Sequence, residues 1–93
     1  MSQFTENARK ASEALRALFD PTPLQLNDHL SQRYGAQIYL KREDLTPVRS
    51  YKLRGAFTAM RAAIDTGARR FVCASAGNHA QGLAYHGARL GLP

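Results

Sequence analysis

The alternation of two hydrophobic periods after residue 36 constrains this chain most. "AQIYLKRED" sets Ile38 and Leu40 against Tyr39 and Lys41, a two-residue period that predicts a strand near 37–42. Leu53, Phe57, Met60 and Ile64 then recur at helical spacing, with Ala56 and Ala63 widening the stripe. Ser50 is a plausible N-cap for that helix and Gly67 its stop. "RRFVCAS" reads as a short buried strand, and beyond Gly77 the alanine-rich "NHAQGLAYHGARLG" reads as a second helix. Strand, helix, strand, helix is the order of an α/β unit, a parallel sheet with flanking helices.

The first third of the chain is less regular. Residues 5–19 suit a helix through Ala8, Ala11, Leu15, Leu18 and Phe19, and Asp20-Pro21-Thr22-Pro23 ends it, because neither proline can continue a helical ladder. "LQLND" fits a short extended segment, and "DHLSQRYG" one or two helical turns closed by Gly35. "LTPVR" is a loop, and there is no repeat or low-complexity stretch.

Element lengths bring two distant stretches together. A helix from Lys52 to Thr66 is roughly 22 Å long, and a strand from Arg70 to Ser75 returns roughly 20 Å. In an α/β unit that strand runs antiparallel to the preceding helix, so Ser75–His79, "SAGNH", comes back near Lys52. A strand end that turns through a glycine into a helix start offers unpaired N–H donors and a positive dipole end, suited to an anion. Many such turns bind nothing.

Lys52 has two readings. Most helix lysines point into water. Yet this one follows shortly after a candidate N-cap, where the helix dipole disfavours a cation. In the other reading its amine lies in the crevice and forms a Schiff base with an aldehyde cofactor or carbonyl substrate, helped by Arg49 and Arg54, which disfavour the ammonium.

Composition narrows the class. The 93 residues suffice for one small domain, and 44% apolar content excludes a disordered chain. No apolar run approaches the roughly 18 residues of a membrane helix. Glu6 and Glu13 interrupt the first 19 residues, which lack a secretory h-region and fit a transit peptide poorly. One cysteine excludes an internal disulfide and fits a reducing compartment, so a cytoplasmic location is expected. The net charge of +6 raises a nucleic-acid partner. The cations, however, are spread from Arg9 to Arg89 in runs no longer than adjacent pairs such as Lys41–Arg42 and Arg69–Arg70, without interleaved aromatics, which favours a solvated surface and no nucleic acid. Cys73 reads as a small core residue, His29 and His86 as surface residues, and no His, Cys or carboxylate spacing suits a metal. The chain stops at "GARLGLP", where a new element should begin, so an N-terminal piece of a longer protein is expected.

"PTPL" (21–24), "IYLKREDLTPVRSYKLRGA" (38–56) and "SAGNHAQGLA" (75–84) resemble, in order and spacing, the N-terminal part of the threonine dehydratases. These are fold type II (β-family) pyridoxal-phosphate enzymes. The resemblance implies that residues 1–93 are the incomplete N-terminal segment of a catalytic domain whose cofactor is pyridoxal 5'-phosphate. Lys52 stands where the family has its Schiff-base lysine, which also serves as the base at the substrate Cα. Asn78 matches the asparagine that bonds the cofactor's phenolic oxygen. Ser75, Gly77, Asn78 and His79 match the loop that holds the substrate carboxylate. The implied reaction deaminates L-threonine to 2-oxobutanoate and ammonia, or L-serine to pyruvate, on the route to isoleucine, in a parent that is a homo-oligomer.

Two positions depart from the family pattern. Tyr51 stands where many members have Phe, which keeps the aromatic body. Ala76 stands where serine racemases tend to have a second serine, so the resemblance leans toward dehydration over racemisation. The family's glycine-rich phosphate loop and the residue facing the pyridine nitrogen lie further downstream, so these 93 residues alone are expected to be inactive and to bind the cofactor poorly. The rivals are another fold type II enzyme, such as a serine racemase, and a basic, non-catalytic binding fragment.

Overall fold

A computed structural model describes residues 2–93. Its first element, α1, is Gln3–Arg16. Ser2 caps it, its Oγ accepting from the Thr5 amide, and Glu6 in the first turn and Arg16 in the last suit the dipole. Arg9 bridges Glu6 at 2.7 Å and Glu13 at 2.6 Å along the exposed face. The helix closes three residues before the expected Phe19. There the Leu18 and Phe19 amides both turn back to the Leu15 carbonyl, ahead of the two prolines.

Two short strands follow. β1, Leu24–Leu26, pairs antiparallel with β2, Tyr39–Lys41, in the register Leu24↔Lys41, Gln25↔Leu40, Leu26↔Tyr39. The bonds Asn27 N–H to Ile38 O and Arg42 N–H to Pro23 O extend the ladder at both ends. Between the strands, α2 is Asp28–Tyr34, capped by the Asn27 side chain and ended by Gly35 at φ 62°, which a side chain would strain. This short helix lets the chain reverse, so β2 comes back against β1 rather than beside a later strand.

The expected parallel sheet does not form among the described residues, where the only sheet is this two-stranded antiparallel one. The run Arg70–Ser75 carries no strand, and Val72 is 96% exposed. A strand persists only where a neighbour completes its backbone hydrogen bonds, and β2 spends its ladder on β1. For the same reason Cys73 is exposed rather than in the core.

After a single 3-10 turn at Glu43–Leu45, α3 runs Lys52–Asp65 and α4 Asn78–Arg89. These two helices form the main packed layer, with α1 lying on α3. The core is the expected stripe of α3: Leu53, Ala56, Phe57 and Met60 are buried, joined by Leu15 of α1. Ile64 and Ala63 are only half-buried, where the stripe runs past its partner. Across from it α4 presents Gly82 and His86, so His86 is a core residue at 1% exposure and not a surface one. His29 is exposed, as expected.

No described helix is long and apolar enough to cross a membrane.

Candidate active site

The start of α3 is anchored twice. Arg54 forks onto Glu43, Nε to Oε1 at 2.6 Å and an Nη to Oε2 at 3.0 Å. Thr22 donates to the same carboxylate at 3.1 Å, and Lys41 Nζ donates to the Thr22 carbonyl at 2.6 Å. The Arg54 guanidinium also lies over the Phe19 ring, 5.2 Å from its centroid. "PTPL", "KRED" and "YKLRGA" are thereby tied into one network. The Arg54 guanidinium holds the Glu43 carboxyl below the usual range against its partial burial, with Thr22 and Lys41 adding to the effect.

The second anchor is α4. A Cβ on Gly82 would meet the Leu53 backbone, and His86 Nε2 lies 2.8 Å from the Leu53 carbonyl oxygen. Lys52 is thus followed directly by a residue held on α4, Leu53, and one held on Glu43, Arg54.

Ser50 does not cap α3. Thr46 Oγ1 accepts from the Ser50 amide at 3.0 Å and donates to the Ser50 carbonyl at 2.7 Å, which locks that residue into the preceding loop. The N-cap falls on Tyr51, without a side-chain cap bond. The Ser50 hydroxyl is buried, with no hydrogen-bond partner among the described residues. Arg49, at φ 64°, takes the left-handed turn that brings the chain into the helix.

Lys52 itself is exposed, its Nζ 5.7 Å from the Tyr51 ring centroid. Of the two cations expected to press on it, Arg54 is paired with Glu43. The amine is therefore reachable from solvent rather than enclosed in a crevice.

The second group of expected site residues lies at the opening of α4. Gly77 is its N-cap with no side-chain cap bond, so the first helical amides, from Asn78 on, lack intrahelical partners. Ser75 Oγ accepts from the Gly77 amide at 3.2 Å, which bends the chain into the helix. Gly77, Asn78 and His79 are exposed and Ser75 is half-buried. Gly82, one helical turn past Asn78, touches the residue next to Lys52, so the Lys52 and Asn78 Cα atoms lie no more than about 15 Å apart. The strand expected to link the two helix starts is absent, and the contact that limits their separation is Gly82 packed on Leu53.

The donors at the two helix starts are of the kinds an anionic aldehyde needs. Lys52 carries a reachable primary amine. The α4 amides, the Asn78 carboxamide and the Ser75 hydroxyl are groups able to donate to oxygen anions.

His86 was missed by sequence reasoning. Its signal was present: Gly82 and His86 are four apart, so the smallest residue and the imidazole share one helical face.

Comparison with known proteins identifies the family. The profile of the pyridoxal-phosphate dependent enzymes matches residues 15–93. The chain is 48% identical over 89 residues to the biosynthetic L-threonine dehydratase IlvA of Staphylococcus aureus, covering 95% of this chain and 21% of that protein. It is 53% identical over 83 residues to the biosynthetic L-threonine dehydratase IlvA of Mycobacterium leprae, covering 88% of this chain and 19% of that protein. The chain thus spans about a fifth of the length of the curated relatives it matches. With a family profile covering most of its length, the chain belongs to the pyridoxal-phosphate dependent enzyme family.

Proposed function

We propose that residues 1–93 are the N-terminal segment of a catalytic domain that deaminates L-threonine to 2-oxobutanoate and ammonia, and L-serine to pyruvate, as a step toward isoleucine. The observation that carries this reading is the extent of the match, 95% of the chain at 48% identity to a biosynthetic L-threonine dehydratase. Within that domain, Arg70–Ser75 would pair as an inner strand of a parallel sheet, whose apolar run "FVCA" suits burial on both faces.

Pyridoxal phosphate, when bound, supplies an aldehyde for the amino group and a ring that takes up the electron pair left at Cα. The chain's own residues do the rest. Lys52 Nζ would hold the cofactor through its aldehyde and, as a free amine, would take the Cα proton. The α4 amides with Ser75, Gly77, Asn78 and His79 hold the substrate carboxylate, which orients the Cα–H bond toward that amine. The Asn78 carboxamide would donate to the cofactor's phenolic oxygen. In net balance the proton taken from Cα and the β-hydroxyl leave together as water, and hydrolysis of the released enamine gives ammonia and the 2-oxo acid. The parent would be a cytoplasmic homo-oligomer.

The test is a chimera in which residues 1–93 replace the matching part of the Staphylococcus aureus relative. It should release 2-oxobutanoate from L-threonine, and its Lys52→Ala variant should not. A folded chimera that binds the cofactor but yields no 2-oxobutanoate would overturn the reading. The 93-residue chain alone should show no turnover.

A further inference from the structure

We propose that His86 is a positioning residue, which bonds the Leu53 carbonyl and thereby fixes the turn carrying Lys52 in register with the helix that opens at Asn78. The inference rests on the proposed function only in taking Lys52 and Asn78 as the groups whose spacing counts.

A histidine at 1% exposure in a seam of Leu53, Phe57 and Met60 is a costly way to fill space, since leucine would pack there without a polar ring to desolvate. The ring has a defined task instead. Its Nε2 lies 2.8 Å from the Leu53 oxygen. A carbonyl only accepts, so Nε2 carries the hydrogen and the tautomer is set. Inside α3 the same oxygen faces the Phe57 amide, and the imidazole uses its second lone pair. Phe57, 5.1 Å from the imidazole centroid, and Tyr85, edge-on at 5.2 Å, hold the ring plane.

Gly82 and His86 therefore grip one residue from successive turns of α4. Gly82 lets the backbones meet, and His86 sets where along the seam they meet. Apolar packing is non-directional and tolerates a slide of one helix along the other. A hydrogen bond weakens steeply with distance and angle, and so does not. Since Leu53 is covalently next to Lys52, and Gly82 one turn from Asn78, a slide at this contact would change the Lys52–Asn78 spacing directly.

The test uses the 93-residue chain with two variants. His86→Gln keeps an N–H donor at similar reach, and His86→Leu keeps bulk without the donor. A long-range 1H–15N spectrum of the wild type should show the Nε2–H form; an Nδ1–H form would overturn the proposal. Amide exchange at Phe57 should accelerate about tenfold in His86→Leu and return toward wild type in His86→Gln. Equal exchange in all three chains would overturn it. Brief exposure to pyridoxal phosphate followed by borohydride, with peptide mapping, should label Lys52 over Lys10. That preference should drop about fivefold in His86→Leu and recover in His86→Gln. A lowered melting temperature with unchanged Lys52 preference would reduce His86 to core filler. If Lys52 shows no preference even in the wild type, the role assigned to Lys52 falls, while the exchange result still decides for or against the register bond. Should His86→Leu fail to fold, the tautomer and the His86→Gln chain decide alone.

Discussion

A Cβ placed on Gly82 would stand 3.1 Å from the Leu53 Cα and 3.2 Å from its backbone nitrogen. Backbone atoms cannot swing aside as a side-chain tip can, so α3 and α4 would have to separate. Gly82→Ala should therefore cost about 1–3 kcal/mol despite alanine's better helix propensity. Gly87, in the same helix, has nothing within 4 Å of the equivalent point, so Gly87→Ala should gain up to about 1 kcal/mol. Urea unfolding of both variants is the check. The two substitutions moving stability in the same direction would contradict the close approach.

The Glu43–Arg54 fork should govern the acid side of the stability curve. Glu43 titrates below its unfolded value of about 4.3 because the folded state holds the charged form. Its contribution is complete above that value and is lost as pH falls through the lower, folded one. Glu43→Gln should cost about 1–2 kcal/mol at neutral pH and flatten the decline below pH 4. Thermal melts from pH 7 to 3 would test this, and an unchanged acid limb would count against the fork.

His86 should produce a second, higher step. Burial in the α3–α4 seam pushes its imidazole below the ordinary range; the Leu53 carbonyl opposes this and Arg89 adds to the depression. The unfolded chain takes up a proton near pH 6.5 while the folded one does not. Stability is therefore full above that pH and declines as pH falls through the interval down to the folded pKa. His86→Gln should remove this step and leave the Glu43 step in place. A wild-type melting temperature that is flat between pH 7 and 5.5 would speak against a buried neutral ring.

Cys73 should behave as a surface thiol. It is exposed in the segment that follows α3. A chromogenic disulfide reagent should modify it in the native chain at a rate within about tenfold of that in urea, because no fold opening is needed first. Strong protection in buffer, released by denaturant, would show that residues 71–73 are covered.

The residues also show what could be read in advance. α3 was legible because Leu53, Phe57, Met60 and Ile64 declare both the element and its buried face, and Gly35 was legible because only its backbone suits the closing turn. Partners across space were not. A two-residue period shows that Tyr39–Lys41 is extended but not which neighbour it chooses, and it chose β1. The run Arg70–Ser75 has the side chains of a strand and lacks the hydrogen-bonding neighbour that would make it one. Ser50 has the right chemistry for a cap, but the Thr46 hydroxyl claims its backbone first. At the site, element lengths predicted a strand between Lys52 and the Asn78 turn, whereas the contact that relates the two helices is Gly82 against Leu53.

That contact also shapes how charged solutes reach the molecule. The starts of α3 and α4, related by that contact, each present a positive helix end, on a chain already carrying a surplus of six cations. Diffusing anions should be drawn to these ends from a distance of about a Debye length, roughly 8 Å at physiological ionic strength. Added salt would slow their arrival while leaving the apolar seam between the helices intact. Capture and architecture here answer to different variables.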